Sequence, residues 1–357
     1  MAGVAETLAG WAHEQRPFAL ATVIAVHRSA PRAPGSKMGI AADGELVGSV
    51  SGGCVEGAVS EAAGALGPAG PARVLHYGIA DSQGWEVGLP CGGEIDVLLE
   101  PVGDAALRRF LELQAAGVRS ALVTVVDAEA GVTGRLLIGV DGELESRIED
   151  LELHTHLLEV GSQALWHERS QLVDVGELRA FVDVTAPPPT LMIFGAGEFA
   201  QALARLALTL EWRVVVCDPR SRFADPARFP GAEVIARWPS EAVEEAGGID
   251  RATYVAVLSH DPKIDEAALA LALRSDAAYV GAMGSRRATA ARRERLRAQG
   301  LTDAELDRLA APIGLDLGGG EPSETAVAIV AEMVAARNGR DGGRLSRSQR
   351  RISAPAG

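Results

Sequence analysis

Two cysteines with glycine pairs beside them are the residues best suited to chemistry in this chain. One follows its glycines in Ser51-Gly52-Gly53-Cys54, and the other precedes them in Cys91-Gly92-Gly93-Glu94. Glycine carries no side chain, so the backbone beside each thiol is able to approach a ligand closely. The third cysteine, Cys217, lies in an apolar run and is expected to pack in a core. The pattern predicts a site for a soft or reactive ligand.

The residues after Cys54 predict a helix, because Val55, Val59, Ala62 and Leu66 recur at helical spacing. A thiol at or just before a helix start is favoured as the thiolate by the free amides and the helix dipole. Gly52 and Gly53 are predicted to leave amides open toward an anion. Glu56 is predicted to carry a proton. The alternative is that Cys54 is a small buried apolar residue.

Cys91 is predicted to lie in a loop before a strand at residues 95–99. Gly92 and Gly93 would expose backbone amides to a ligand beside this thiol. The alternative is a thiol packed within the loop. A zinc site is not predicted, because no two cysteines have the spacing of a zinc ligand pair and the histidines are scattered.

A third candidate is the turn-rich loop Ser29-Ala30-Pro31-Arg32-Ala33-Pro34-Gly35-Ser36-Lys37. Arg32 and Lys37 are predicted to hold a phosphate or a polar ring, because both are cations with several hydrogen-bond donors. The alternative is that the loop only connects two strands.

The second half carries the glycine pattern of a dinucleotide site. Gly195-Ala196-Gly197 follows a strand and opens a helix, and Asp218 ends the next strand. In such folds the glycine turn holds a pyrophosphate and the acid binds a ribose hydroxyl. Glu198 opposes this role, because its carboxylate would repel a pyrophosphate. The alternative is an inherited fold with an altered pocket.

Further candidates follow the later strands of this half, at the edge where α/β proteins bind ligands. Ser259-His260-Asp261 follows one strand, and Ser285-Arg286 follows the next. Three consecutive residues cannot align as nucleophile, base and orienting acid, so a catalytic triad is not predicted. Arg286 or Arg287 is predicted to bind a phosphate.

The proline triplet Pro187-Pro188-Pro189 marks a domain boundary, because proline ends helices and central strands. We predict an N-terminal α/β domain over residues 1–186. Alternating strands and helices over residues 190–337 predict a Rossmann-like, doubly wound parallel sheet. The Arg-rich residues 338–357 are predicted to form a disordered tail.

The N-terminal half is predicted to contain an internal repeat. Residues 19–24 resemble residues 121–126, and the hairpin signal Asp-Gly-Glu-Leu occurs at residues 43–46 and 141–144. Residues 93–97 have a weaker echo at residues 176–180. The second copy lacks both cysteines, so the scaffold does not require the thiols. The alternative is that two short hairpins resemble each other by chance.

The whole chain limits the classes of function. Its 357 residues carry a formal net charge of −14, which disfavours nucleic acid as a partner. The sequence has neither an apolar run long enough to cross a membrane nor the apolar core of a signal peptide. A cytoplasmic protein with free thiols is therefore expected.

Taken in order, these motifs resemble the XdhC/CoxI family, the accessory factors of xanthine dehydrogenase and related molybdenum hydroxylases. The resemblance covers residues 12–337 and includes Gly48–Gly57, Pro90–Glu94, Val280–Arg286 and Ala311–Asp316. It implies a homodimeric chaperone that binds the molybdenum cofactor, assists its sulfuration by a cysteine desulfurase, and passes it to the hydroxylase. Cys54 would then be the ligand of molybdenum, with Cys91 as a second candidate.

Two other functions remain open from the sequence. One is an NAD(P)-dependent oxidoreductase that uses Gly195, Gly197 and Asp218. The other is a non-enzymatic scaffold that docks the hydroxylase and the desulfurase. The resemblance favours an accessory factor over an enzyme.

Overall fold

The structure is a computed structural model that describes residues 2–27, 32–67, 70–78, 93–127 and 131–348. The chain divides into two compact units, Met1–Pro187 and Pro188–Gly357. The division falls within the proline triplet, where the chain forms neither helix nor strand. Each unit is described separately.

The N-terminal unit contains fourteen helices and strands within its described residues. In chain order they are α1 (Ala2–His13), β1 (Phe18–His27), β2 (Lys37–Ala41), β3 (Leu46–Gly48), α2 (Glu56–Leu66), β4 (Arg73–Tyr77), β5 (Glu94–Pro101), α3 (Ala105–Ala115), β6 (Ser120–Asp127), β7 (Gly131–Gly139), β8 (Gly142–Ser146), α4 (Leu151–His167), β9 (Gln171–Val175) and β10 (Leu178–Thr185).

The strands confirm the predicted internal repeat. They form two antiparallel five-stranded sheets of the same order, β3-β2-β1-β5-β4 and β8-β7-β6-β10-β9. The registers also agree, since Thr22 pairs with Lys37 in the first sheet and Thr124 pairs with Arg135 in the second. The repeated unit is therefore a helix, three strands, a helix and two strands, which we call copy one and copy two.

The two sheets pack face to face, each with a helix on its outer face. Ile24 and Leu98 of copy one meet Val126 and Phe181 of copy two in a shared apolar cluster. Helix α2 covers the outer face of the first sheet, and α4 covers that of the second. Alternate residues of the central strands therefore face opposite apolar layers, and β1 is buried along most of its length.

Two buried ion pairs cross between the copies. Lys37 Nζ of copy one lies 2.7 Å from Asp183 Oδ2 of copy two. Arg135 of copy two pairs with Glu100 of copy one. Lys37 and Arg135 occupy equivalent register positions, as do Glu100 and Asp183. The copies thus exchange equivalent charges, as the two protomers of a symmetric dimer would.

The C-terminal unit alternates strands and helices. In chain order they are β11 (Thr190–Phe194), α5 (Glu198–Thr209), β12 (Arg213–Cys217), β13 (Glu233–Ile235), α6 (Pro239–Glu245), β14 (Thr253–Val257), α7 (Pro262–Arg274), β15 (Tyr279–Ala282), α8 (Arg286–Ala298), α9 (Asp303–Asp307), β16 (Leu309–Ala310) and α10 (Pro322–Arg337).

These strands confirm the predicted Rossmann-like sheet. All six are parallel, in the order β13-β12-β11-β14-β15-β16. Helices α5 and α10 pack on one face, and α6, α7 and α8 pack on the other. The chain order reverses between β11 and β14, which places the usual ligand crevice beside the carboxyl ends of these two strands. Beyond α10, a single 3-10 turn forms at Leu345–Arg347, and the predicted disorder of residues 338–357 stays a prediction.

Candidate functional site

Cys54 lies in a loop of residues 49–55 that joins β3 to α2, which we call the cysteine loop. Its side chain is half-buried and packs against the apolar cluster beneath α2. Helix α2 begins at Glu56, two residues after the thiol, which agrees with the predicted helix start. Cys54 is thus held by packing without being fully buried.

The carboxylate of Glu56 holds the cysteine loop together. Its Oε1 accepts hydrogen bonds from Ser49 Oγ at 2.6 Å and from the amides of Val50, Ser51 and Gly52 at 3.2, 2.9 and 3.1 Å. Its Oε2 accepts from Ser51 Oγ at 2.6 Å and from the amides of Gly53 and Val55 at 2.9 and 3.2 Å. The first helical residue therefore serves as the anion around which the preceding loop folds.

This arrangement corrects two predictions. Partial burial of Glu56 opposes ionisation, but the hydrogen bonds from the serine hydroxyls and the loop amides outweigh it and lower its pKa to about 2. Glu56 therefore stays ionised near neutral pH and does not fit the predicted proton carrier. The amides of Gly52 and Gly53 are not open toward an external anion, because Glu56 already accepts their hydrogen bonds.

The two glycines are needed for the path of the loop. Gly52 and Gly53 have φ values of +82° and +114°, a region that other residues rarely adopt, although a side chain at either position would meet open space. The loop is completed by the buried Ser51, whose Oγ accepts hydrogen bonds from the amides of Cys54 and Val55 at 2.9 and 3.0 Å.

Arg32 and Lys37, the predicted cations, line one cavity together with Ser49 of the cysteine loop. The cavity has a volume of about 360 Å³. Lys37 does not fit the predicted phosphate ligand, because its amine is buried, pairs with Asp183 and donates to the Gly35 carbonyl at 3.1 Å. Arg32 is half-buried, and it forms no hydrogen bond or ion pair within the described ranges.

Copy two provides an internal comparison. The segment equivalent to the cysteine loop is short and leads to an ordinary helix cap, in which Asp150 accepts from the Leu153 amide at 2.9 Å. The sequence there has no cysteine. The serine, glycine and glutamate arrangement of copy one is therefore an addition that the fold itself does not require.

The second predicted thiol is that of Cys91, which follows Pro90 in the sequence. Cys91 and Gly92 lie outside the described residues. Gly93 is buried and directly precedes β5. Their predicted roles stay predictions.

The glycine turn of the C-terminal unit brings Gly195 and Asp218 together as predicted, but with different contacts. Gly195 has a φ of +99°, and a side chain there would lie 2.6 Å from the Ser259 amide nitrogen. Asp218 is fully buried, and its Oδ2 accepts the Ala196 amide at 2.9 Å and an Arg220 guanidinium nitrogen at 2.8 Å. Its Oδ1 accepts the amide and the Nε of Arg220 at 3.0 and 2.9 Å.

These contacts oppose the role predicted for Asp218, which stays a prediction. A carboxylate has about four acceptor positions, and four donors of the protein occupy them. Burial disfavours the charged form of Asp218, but the bonds from Arg220 and Ala196 prevail and lower its pKa. Both Asp218 oxygens are therefore engaged with donors of the protein itself, and so is the Ala196 amide of the turn. Gly197 caps α5, and Glu198 is exposed in its first turn.

The remaining candidates lie at the same edge of the sheet, as predicted. Ser259 Oγ accepts the Asp261 amide at 2.9 Å, and Asp261 caps α7 by accepting the Lys263 amide at 3.0 Å. Ser285 caps α8 in the same way. His260 and Arg286 are exposed. The edge thus brings the predicted residues together, with two of them engaged as helix caps.

Comparison with known proteins decides the family. Residues 11–78 match the sequence profile of the XdhC and CoxI family, and residues 191–333 match that of the XdhC Rossmann domain. The chain belongs to the XdhC/CoxI family. This confirms the resemblance on which the sequence analysis relied.

Three relatives of this XdhC/CoxI protein extend over most of its length. A probable xanthine dehydrogenase subunit of Bacillus subtilis (strain 168) is 27% identical over 328 residues, which cover 91% of this chain and 94% of the relative. The molybdenum cofactor insertion chaperone PaoD of Escherichia coli (strain K12) is 25% identical over 323 residues, which cover 89% of this chain and 83% of the relative. A crystal structure of a xanthine dehydrogenase from Bacillus halodurans superposes with a TM-score of 0.63 and 26% identity. The match covers 97% of this chain and 98% of that one.

One cluster of the XdhC/CoxI protein escaped the sequence analysis. Asp96, buried in β5, lies between His76 Nδ1 at 2.7 Å and His27 Nε2 at 3.1 Å. Burial opposes ionisation of Asp96, yet the bonds from the two imidazoles lower its pKa. Predicting this cluster would have required the register of β1, β4 and β5, since His76 is directly opposite Asp96. The histidines appeared scattered only along the sequence.

The described part of the XdhC/CoxI protein offers neither a cluster of metal ligands nor a membrane-spanning helix. In the part of the chain that the structure describes, no group of three or more His, Cys, Asp or Glu side chains is arranged to hold a metal ion. None of the helices there has the length and apolar character needed to cross a membrane.

Proposed function

We propose that this chain is an accessory protein that binds the molybdenum cofactor and passes it to a xanthine dehydrogenase-type molybdenum hydroxylase. The observation that carries the proposal is the cysteine loop. It holds the half-buried Cys54 just before α2, and its first residue lines a cavity of small-molecule size. The names of two relatives, a chaperone for insertion of this cofactor and a probable component of xanthine dehydrogenase, support the choice of ligand.

The donor set suits this cargo. A thiolate is the side-chain ligand that a soft metal centre prefers, so Cys54 would contact the molybdenum end of the cofactor. Arg32 and the Ser36 hydroxyl in the same cavity offer hydrogen-bond donors for the polar remainder. Because Glu56 holds the loop without titrating near neutral pH, the loop around the thiol keeps its hydrogen bonds in that pH range.

The test is the amount of cofactor that copurifies with the protein from a molybdenum-replete host. We expect molybdenum and pterin fluorescence with the wild type, and at least a tenfold loss of bound molybdenum in Cys54→Ser. The matched control is Cys217→Ala, because Cys217 is 1% exposed in β12 and burial raises its pKa to about 12. This variant should retain the cofactor.

Two outcomes would overturn the proposal. One is wild-type protein that contains neither molybdenum nor pterin. The other is a hydroxylase that matures equally well with the wild type, with Cys54→Ser and without this protein. A third outcome is that the hydroxylase matures normally with Cys54→Ser but fails to mature when this protein is absent. That outcome would favour a docking scaffold for the hydroxylase.

We include in the proposal that a cysteine desulfurase sulfurates the bound cofactor and that the protein acts as a homodimer in the cytoplasm. Both follow from family membership rather than from a contact in this structure. Sedimentation equilibrium of the purified protein measures the dimer. Copurification with a tagged desulfurase, with and without Cys54, measures the second partner.

An NAD(P)-dependent oxidoreductase is the alternative function. The contacts of Asp218 and of the Ala196 amide oppose it, because both groups of the glycine turn are engaged with the protein itself. Calorimetric titration with NADH and NADPH separates the two functions, and saturable binding would favour the oxidoreductase.

A further inference from the structure

The cavity lined by Arg32, which we call the Arg32 cavity, has a distinct chemical character. Val4, Ala5 and Leu8 of α1 form an apolar wall. Arg32, Ser36 and Gln114 supply polar side chains, and none of the described residues that line it is acidic. In a protein with a formal net charge of −14, a cavity bordered by basic residues and no acidic ones is a selective place for an anion.

The polar side chains of this cavity are available to a ligand. Within the described ranges, neither the guanidinium of Arg32, nor the hydroxyl of Ser36, nor the amide of Gln114 has a hydrogen-bond or ion-pair partner. Lys37 also lines the cavity, but Asp183 neutralises it. Ser49 donates to Glu56, whose charge is compensated by the donors of the cysteine loop. Arg32 is therefore the uncompensated charge of the cavity.

Two glycines fix the shape of the cavity. Gly35 and Gly48 both line it, with φ values of +89° and +83°. A side chain at Gly48 would lie 2.3 Å from the Lys37 carbonyl oxygen, and one at Gly35 would lie 2.7 Å from Ser170 Oγ. Other residues at these positions would strain the turn and displace the walls. The walls are thus set by the fold and do not depend on a ligand.

The internal repeat supplies a comparison within the same molecule. Copy two has an open pocket of its own, lined by other positions of α3 and of the hairpin of β7 and β8 than those of α1 and of the hairpin of β2 and β3 that line the Arg32 cavity. Ala12 and Gln114, which hold equivalent positions in α1 and α3, each line the pocket of the other copy. The copy-two pocket contains Arg108 and Arg109 but also Glu112 and Glu145. Of these two pockets, the one in copy one is without carboxylates among its described lining residues.

We propose that the Arg32 cavity binds the phosphate group of a small phosphate ester, with Arg32 as the cation that recognises it and the α1 wall against the body of the ester. Arginine matches the oxygens of a phosphate through paired donors, and Ser36 and Gln114 add neutral donors. A volume of about 360 Å³ exceeds the needs of inorganic phosphate and lies at the lower end of small-molecule sites. If the proposed function holds, this ester is the phosphate-bearing end of the cofactor.

The test uses simple probes and the full chain. Binding of 4-nitrophenyl phosphate, inorganic phosphate and 4-nitrophenol is measured by calorimetry for wild type, Arg32→Gln and Arg108→Gln. The last variant is the matched control, because Arg108 is also a half-buried arginine and lines a pocket of copy two. We expect the ester to bind more tightly than inorganic phosphate and 4-nitrophenol not to bind. Arg32→Gln should weaken ester binding at least tenfold, and Arg108→Gln should leave it unchanged.

The inference is overturned if the wild type shows no saturable binding of the ester, or if both arginine variants weaken it equally, which would indicate a general charge effect. Arg32→Lys separates recognition from folding, because it keeps the charge but loses the paired donors and should show intermediate affinity. The proposed function is judged separately through bound molybdenum in Cys54→Ser. A wild type that holds molybdenum but binds no phosphate ester would disprove only the inference made here.

Discussion

At the scale of single residues, Glu56 shows how one side chain can define a site without touching its ligand. Seven donors of the cysteine loop converge on its two oxygens. Each of these groups would otherwise need water or a ligand as its partner. Cys54 is therefore positioned by a residue whose sequence context suggested a proton carrier.

Replacing Glu56 by Gln should cost about 1–3 kcal/mol of unfolding free energy, because an amide nitrogen would then face N–H and O–H donors. The matched control is Glu61→Gln, an exposed position of the same helix with no partner in the described structure. Denaturant unfolding at neutral pH measures both variants. Equal stability of the two variants would show that the loop does not depend on the carboxylate.

The stability difference between wild type and Glu56→Gln should depend on pH in a defined direction. Glu56 has a pKa of about 2 in the folded protein, below the value of about 4.3 expected for the unfolded chain. A carboxylate whose pKa is lowered on folding stabilises the folded state at pH values above its pKa in the unfolded chain. This contribution is lost as the pH falls toward its pKa in the folded protein. The difference in unfolding free energy between wild type and Glu56→Gln should therefore be largest above about pH 5 and decrease steadily toward pH 2.

At the scale of elements, the sequence predicted most of the C-terminal unit and the outline of the repeat. The strands predicted before Gly195, Ser259 and Ser285 and the one predicted to end at Asp218 form as β11, β14, β15 and β12. They were predictable because buried parallel strands are continuous apolar runs. The short elements β13, α6, α9 and β16 were missed. They contain too few residues to show a period.

The site was less predictable than the elements. Hydrogen bonds from Gly52 to Glu56 and from Ala196 to Asp218 depend on how a loop turns back, which residue type alone does not reveal. The pairs of Lys37 with Asp183 and of His27 with Asp96 join residues far apart in sequence, so they require the strand register. Both kinds of information arise only when the elements pack.

The glycine turn of the C-terminal unit offers a sharp test of element geometry. Gly195→Ala should cost about 2–5 kcal/mol, because its φ of +99° is strained for alanine and the new methyl would lie 2.6 Å from the Ser259 amide. Gly197→Ala should change stability by no more than about 1 kcal/mol, since its φ is −81° and no atom lies within 4 Å. Thermal unfolding of the two variants makes the comparison. Similar losses in both would refute the close approach of this turn to Ser259.

At the scale of the whole N-terminal unit, two equivalent copies are joined by exchanged ion pairs around a shared apolar cluster. The symmetric core accounts for the fold, and the asymmetric additions of copy one account for the proposed site. The cysteine loop, the Arg32 cavity and the thiol all belong to copy one. Copy two supplies Asp183 and Gln114, so the site needs both copies although its chemistry lies in one.

The exchanged pairs predict how the copies depend on each other. Lys37→Met should cost about 3–5 kcal/mol, because it leaves the buried Asp183 carboxylate without its partner, whereas Lys37→Met with Asp183→Leu should cost clearly less than the single change. The surface pair of Arg16 with Asp43 is the control, and Asp43→Leu should cost much less than Lys37→Met because Asp43 is exposed. Denaturant unfolding gives the double-mutant cycle, and hydrogen exchange in β6 and β10 assigns the transition to this unit. Additive losses from Lys37 and Asp183 would show that the pair does not couple the copies, and would leave the apolar cluster as the main link between them.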